Sequence, residues 1–314
     1  MKLLLTMTLQ QLEYIIAVDR FRHFAKAAEY CLVTQPTLSA MIHKLEEELD
    51  TKIFDRGKQP VCPTPIGVSI IEQARNVLAQ AGRMKDIIEE EKHSLTGTFK
   101  LGILPSIAPY LLPRFFPQLM KRYPGLDIRV AEMKTKDIKE GLRTGEIDAG
   151  IVANLTDMEE FRQTHLFYEE FFAYVARESS LYNNEIIHTS DLNNEQLWLL
   201  DEGHCFRDQL IRFCHLKTAQ ASQLAYRLGS METFMRMVES GKGVTFIPGL
   251  AVLQLDETQK ELVRPFAIPR PTRQIVFLTN QDFIRFTLLE ALTKDIQGAV
   301  PADMLSLKAT EVVV

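Results

Sequence analysis

Between about Ile66 and His93 the residues Ile70, Ala74, Val77, Ala81, Met84 and Ile88 recur at intervals of four, three, four, three and four. That repeat is one stripe of a single long helix. A heptad stripe with small alanines, on a helix projecting between domains, is a seam for a partner helix. It divides the 314-residue chain into a short part before it and a long part after it. It also predicts that two copies pair through these six residues.

Before the seam, Leu12, Ile15 and Ile16 mark one helix from Leu9, and Phe24 and Ala28 mark a second in RHFAKAAEYC. After the interruption CLVT, Thr34 is an expected N-cap with Pro36 in the first turn, and Leu38, Met41 or Ile42, Leu45 and Leu49 form a buried stripe. Two short helices and a tight turn make a helix-turn-helix. Opposite the stripe the second helix displays Gln35, Thr37, Ser39, His43 and Lys44, short donors and acceptors suited to base edges and phosphates. The formal net charge of −5 carries no global sign of nucleic-acid binding, and residues 1–64 hold eight Lys/Arg against eight Asp/Glu. A DNA surface therefore has to come from local clustering of Arg20, Arg22, Lys26, Lys52, Arg56 and Lys58. On pattern alone, a small helical bundle with a solvated polar face is an equal reading. TKIFDRGKQPVCPTPIG then reads as a β-ribbon with Pro and Gly at its turns, a wing.

The run FRHFAKAAEYCLVTQPTLSAMIHKLEEELDTKIFDR followed by TPIG resembles the winged helix-turn-helix of LysR-type transcriptional regulators. Asp50 stands where that family usually has Gly, in a left-handed cap that Asp accepts less readily. The resemblance implies double-stranded promoter DNA as partner, read by Arg22, Gln35, Pro36, Thr37, Ser39, His43, Lys44, Arg56 and Lys58. It also implies a homodimer assembling to a homotetramer, and contact with RNA polymerase.

Beyond the polar stretch HSLTGT, strand-like and helix-like segments alternate: FKLGIL, the helix around PYLLPRFFPQLMKRY, LDIRVAEM, the helix around TKDIKEGLRTG, and AGIVAN. A second set runs through FFAYVAR, LWLL, QLAYRL, SMETFMRMVESG and VTFIP, and RQIVFLTN and a last helix return. This is α/β patterning built from crossover units. The expected fold is α/β with an all-α winged helix-turn-helix head, a long linker helix and a regulatory domain of two lobes, similar to that of the LysR family and of periplasmic binding proteins. The expected boundaries are 1–65 for the head, 66–93 for the dimerising helix and 94–98 for a hinge. The regulatory domain follows at 99–314, with lobe I about 99–168 and 273–303 and lobe II about 169–272. Ser106 is expected at a helix N-terminus, where N–H groups favour polar guests, although it also reads as a plain N-cap; Thr135 has the same ambiguity.

Four cysteines in so long a chain are too few for a disulfide framework and suggest reduced thiols. No run approaches a membrane span and MKLLLTM is too short for a signal segment, so a cytoplasmic protein without membrane contact is expected. In GHCFRDQLIRFC, residues 203–214, Cys205 falls at the start of a helix beside His204 and Arg207, whereas Cys214 shares the buried face of Phe206, Leu210 and Phe213. A helix N-terminus and nearby positive charge stabilise thiolate; apolar burial disfavours it. Nine helical residues rise about 13 Å and turn about 900°, yet a disulfide needs Cα atoms within about 7 Å. Joining the two sulfurs therefore requires the helix to be rebuilt. Chance spacing and a merely packed buried Cys are the plainer readings.

GHCFRDQ-x-x-x-FC after a LysR-like head closely resembles the hydrogen-peroxide sensors of that family. The resemblance implies that Cys205 reacts with hydrogen peroxide and Cys214 resolves it as a reversible disulfide reduced by a cellular dithiol. It implies a peroxide pocket of Ser106, Thr135, His204, Arg207, Asp208 and Arg273, an oxidative-stress activator rather than an enzyme, and no cofactor or metal. Cys31 is expected as core, and Cys62 has no role assigned. Two competitors remain: a LysR-type regulator answering a small anion in the inter-lobe cleft, and a thiol peroxidase, for which a DNA-binding head has no purpose.

Overall fold

The structure is a computed structural model and describes residues 6–92, 95–154, 158–200, 205–214 and 230–314. The chain forms two compact units, Met1–Ile88 with Arg143–Gly145, and Glu89–Leu142 with Glu146–Val314. They are called the head and the body below.

In the head, α1 (Leu9–Phe21) opens on a capping box between Thr8 and Gln11, which satisfies backbone donors that a helix start leaves unpaired. It packs with α2 (Phe24–Tyr30) and α3 (Gln35–Glu48) around Leu12, Ile15, Val18, Ala28, Leu38, Ile42 and Leu45. Thr34 caps α3, its hydroxyl accepting from Thr37 N–H at 3.4 Å. Asp50 adopts φ 47°, the left-handed conformation expected there. The wing is a pair of two-residue strands, β1 (Phe54–Asp55) and β2 (Cys62–Pro63), in antiparallel register. The glycine of TPIG is fixed by packing: a Cβ on Gly67 would lie 2.0 Å from the Ile53 carbonyl oxygen.

The long helix α4 spans Pro65–Glu91. Its stripe is not uniform, which corrects the expectation of a single pairing face. Ala74 is 2% exposed inside the head's own core, with Ile70 and Val77 packed against that core. Met84 and Ile88 are 69% and 52% exposed, as is Ile87 at 55%. The heptad serves its own domain in its first half, and its exposed large members, Met84 and Ile88, lie in its second half; Ile66 and Val68, off the stripe at the helix start, are exposed as well.

The body is built on one mixed sheet. The parallel strands β3 (Gly97–Ile103), β4 (Leu126–Glu132) and β5 (Ala149–Ala153) are connected by α5 (Ala108–Arg122) and α6 (Thr135–Arg143). Pro113 and Pro117 lie on the exposed side of α5. The next strand, β6 (Phe161–Val175), is far longer than FFAYVAR suggests. Its first half pairs with β9 (Arg270–Asn280), across a register shift between His165 and Phe167, and its second half with β7 (Val244–Pro248) and β8 (Val263–Pro265). The order is β4-β3-β5-β9-β6-β7, with β10 (Glu311–Val313) added to β9. Helices α7 (Cys205–Phe213) and α8 (Met231–Glu239) follow β6, and α9 (Gly249–Val252), α10 (Glu257–Lys260) and α11 (Phe286–Ala299) complete the described α-helices.

LWLL is not a strand. Only Leu197 forms an isolated bridge, to Val244, held by Trp198 N–H donating to the Val244 carbonyl at 2.9 Å and Val244 N–H to the Gln196 carbonyl at 2.8 Å, while the Trp198 indole donates to the Lys242 carbonyl at 3.0 Å. QLAYRL and DEGH lie outside the described residues. Among the described residues no helix is long and apolar enough to cross a membrane.

Candidate functional site

The outer face of α3 carries Gln35, Pro36, Thr37, His43 and Lys44 exposed, with Ser39 half-buried. Beneath it Glu46 is fully buried and ties helix to wing: Oε1 accepts from Ile53 and Phe54 N–H at 2.8 and 3.3 Å, and Oε2 from Arg56 at 3.2 Å. Arg56 also donates to Ser39 Oγ at 3.2 Å and lies 5.1 Å over the Phe24 ring. Lys58 pairs with Asp55 at 3.5 Å, and Arg22, whose φ of 52° ends α1, pairs with Asp19 at 2.8 Å. Among the described residues His43, Lys52, Arg56 and Thr64 line a groove between α3 and the wing. A buried anion with a half-exposed arginine on it presents that arginine in a fixed pose, as a positioned phosphate contact requires.

In the body the chemistry gathers at the carboxyl ends of β3 and β4. The parallel strands run β4-β3-β5, so the chain leaves β3 to one side and returns on the other, the topological switch point where open α/β sheets bind ligands. Ser106 follows β3 and Thr135 follows β4. Ser106 is not a cap: Ile107 holds that position without a side-chain bond, because the serine is taken by Arg273. That fully buried guanidinium on β9 donates from Nη1 to Ser106 Oγ and from Nη2 to the Ser106 carbonyl, both at 2.9 Å. Its Nε donates to Glu169 Oε2 at 2.9 Å. Glu169 is Arg273's direct partner in the β6–β9 ladder, and its Oε1 accepts from Leu250 N–H at 2.9 Å. Every oxygen and nitrogen of this ion pair is therefore held by backbone-anchored geometry, the condition under which a buried pair repays its desolvation. Thr135 Oγ1, by contrast, is buried without a hydrogen-bond partner.

One face of Arg273 is covered by aromatic rings, Phe206 at 5.1 Å and Phe171 at 5.7 Å, which meet edge to face at 5.0 Å. Phe206 is the second residue of α7, so the helix that begins at Cys205 closes the buried pair. Leu210 is fully buried, Phe213 packs on Phe266 at 5.9 Å, and Arg207 and Gln209 are buried. Cys214 sits just past the helix, its N–H donating to Leu210 carbonyl at 2.9 Å. Burial pushes its thiol up to about 12 from an ordinary 9.0. Burial, then the nearby Glu13 carboxylate, also raises Cys31 in the head. Cys62 donates to the Pro60 carbonyl.

The expected site residues thus divide. Ser106 and Arg273 touch, Arg207 and Cys214 lie on or beside α7, and Thr135 stands at the neighbouring strand end. His204 lies outside the described residues, as do the side chains of Cys205 and Asp208. Sequence reasoning missed Glu169, Phe171 and Gln209. The signal for Glu169 was present: in FYEEFFAYV the alternate positions Phe167, Glu169, Phe171 and Ala173 share one buried face, and an acid there demands a buried cation. Among the described residues no three His, Cys, Asp or Glu are grouped to hold a metal ion.

Residues 9–68 match the bacterial regulatory helix-turn-helix protein family, lysR type, and residues 92–296 match the LysR substrate binding domain. A hydrogen peroxide-inducible genes activator from Dickeya chrysanthemi is 35% identical over 272 residues, 87% of this chain and 89% of that protein. The crystal structure of OxyR from Porphyromonas gingivalis is 49% identical with a TM-score of 0.65, covering 69% of this chain and 99% of that one. A full-length OxyR variant from Pseudomonas aeruginosa is 35% identical with a TM-score of 0.76, covering 94% of this chain and 99% of that one.

Proposed function

This chain belongs to the LysR family of bacterial regulators, and we propose that it is a DNA-binding transcription activator that responds to hydrogen peroxide through Cys205 and Cys214. The relatives named for peroxide induction and as OxyR support the signal. The observation that carries the chemistry is the contrast along α7. Cys214 is buried with its thiol pushed up to about 12, so it is not the thiolate that meets peroxide. Cys205 is the first residue of a nine-residue helix, where the helix dipole favours thiolate.

The Cys205 thiolate attacks one peroxide oxygen. The O–O bond breaks, a sulfenic acid forms, and the departing hydroxide takes a proton to become water. The Cys214 sulfur then attacks the sulfenic sulfur, losing its proton as the S–O bond breaks, and a second water leaves with the disulfide in place. The two thiols lose two electrons, which peroxide accepts, and a dithiol such as that of a cellular reductant returns them. Ser106 Oγ, already accepting from Arg273, has its proton to donate, and the unpartnered Thr135 hydroxyl offers a second polar contact for peroxide. His204, Arg207 and Asp208 complete this pocket.

Because α7 covers Arg273 through Phe206, rebuilding the helix for the disulfide changes the body. The protein acts in the cytoplasm as a homodimer through the exposed half of α4, assembling to a homotetramer on promoter DNA, read by Gln35, Pro36, Thr37, Ser39, His43, Lys44 and the wing arginine Arg56 with Arg22 and Lys58. RNA polymerase is the downstream partner. Sequencing the genomic fragments retained by the reduced and peroxide-treated protein tests this reading. A changed set or footprint in the native chain, and none in Cys205→Ser, is expected. Identical retention in all forms removes the peroxide response, and a shift produced by a small anion instead favours an effector in the crevice.

A further inference from the structure

We propose that the strand β10 is a latch on α7, with Gln209 as the positioning residue through which it sets how readily the cysteine helix opens; this rests on the reading of α7 as the redox element. β10 lies parallel to the first residues of β9, Glu311 opposite Arg270, Val312 opposite Pro271 and Val313 opposite Thr272. It therefore ends beside the residue that precedes Arg273. Arg270 N–H donates to the Thr310 carbonyl at 2.8 Å and Val314 N–H to the Thr272 carbonyl at 3.1 Å. The approach is clasped by Lys308, whose N–H donates to the Glu311 carboxylate at 3.0 Å and whose ammonium donates to Asp303 at 2.7 Å.

From the other side, Gln209 of α7 is fully buried, and its amide donates to the Val314 carbonyl at 2.7 Å, while its Oε1 has no hydrogen-bond partner. A primary amide in such a place is expensive unless its contacts are made, and among the described residues its one side-chain hydrogen bond goes to Val314, the residue that follows the strand. Isolated helices shorter than about 12 residues are marginal, so nine-residue α7 depends on tertiary partners. Two of these are the Phe171 ring and the Val314 carbonyl. Bringing Cys205 to Cys214 unwinds the segment that holds Gln209 and withdraws the donor from Val314. Coupling is reciprocal: docked β10 resists opening of α7, and an opened α7 loosens β10.

The test uses the full reduced chain, Gln209→Met, a deletion of residues 309–314, and both changes together, with hydrogen exchange read over 206–213. The deletion is expected to speed exchange of α7 about tenfold in the native background and less than about twofold when Met already stands at 209, since the bond it removes is then absent. Peroxide treatment of the native chain is expected to strip protection from 311–314. Equal effects of the deletion in both backgrounds, or no effect in either, overturn the latch. If no Cys205–Cys214 disulfide forms in the native chain the redox reading fails, while exchange in the reduced protein still decides whether Gln209 joins β10 to α7.

Discussion

Arg273 and Cys214 share one core, but the elements that hold them differ in kind. Arg273 stands on an eleven-residue strand paired along its length with β6, with Glu169 opposite it in the ladder and Ser106 at its tip. Cys214 sits just past a nine-residue helix whose fastenings include two aromatic contacts, Phe206 on Phe171 and Phe213 on Phe266, and a side-chain bond from Gln209 to Val314. The strand pair loses its geometry only with the sheet. The helix can open by itself, since a nine-residue helix is too short to be stable alone and short peripheral elements open locally before a sheet does. The proposed switch would use this division, the guanidinium staying where it is while the helix above it is exchanged for another arrangement.

The largest effect should fall on the fixed side. Arg273→Met leaves the Glu169 carboxylate buried without its cation, and unfolding in urea should register a loss of about 3–5 kcal/mol, much of it recovered when Glu169→Gln is added. A loss below about 1 kcal/mol in the single variant would mean that the ladder, not the ion pair, holds the site. On the helix side, Phe206→Ala should cost about 3 kcal/mol, the low end for a buried ring, because one short helix bears it. It should also raise hydrogen exchange over α7 more than over β9; equal increases would erase the contrast.

The buried thiol gives a smaller, pH-dependent effect. Its value in the fold, about 12, lies above the ordinary 9.0, so the protonated form is favoured and the reduced fold holds this stability below pH 9. It loses it as pH climbs toward 12. At pH 8 iodoacetamide should label Cys214 about a thousandfold more slowly than a free thiol, rising steeply with pH. Labelling at the free rate would put Cys214 outside the core in the reduced state. The smallest effect lies in the head. Arg56→Ala should lower retention of genomic fragments by about threefold, and by less at high salt, since one phosphate contact is removed. Peroxide reactivity should be unchanged, because the partners of Arg56 among the described residues, Ser39, Glu46 and Phe24, all lie in the head.

What the sequence made legible follows the same division. Helix caps and periodic stripes are local, so α1, α3 and the wing could be read from the stripe Leu12, Ile15 and Ile16, from Thr34 and from the TPIG turn. Gly67 could be singled out as part of that turn but not explained, since its reason is the Ile53 carbonyl. The heptad of α4 was read as one surface because periodicity reports only that a face is apolar, not which partner covers it, and Ala74 faces its own domain. Ser106 looked like a cap because Ser before a helix so often is; its actual partner lies 167 positions away. The clasp of Gln209 by Val314 joins residues 105 apart, and nothing in either segment announces the other.

The most direct measurement is oxidation of the reduced chain by one equivalent of hydrogen peroxide, quenched at intervals, with trapped thiols mapped by mass spectrometry in the native protein, Cys205→Ser and Cys214→Ser. The account predicts a Cys205–Cys214 disulfide formed far faster than free cysteine reacts, a sulfenic acid persisting on Cys205 in Cys214→Ser, and no reaction at Cys214 in Cys205→Ser. Oxidation at the rate of free cysteine, or a disulfide that forms while exchange over α7 stays as slow as in the reduced protein, would contradict it.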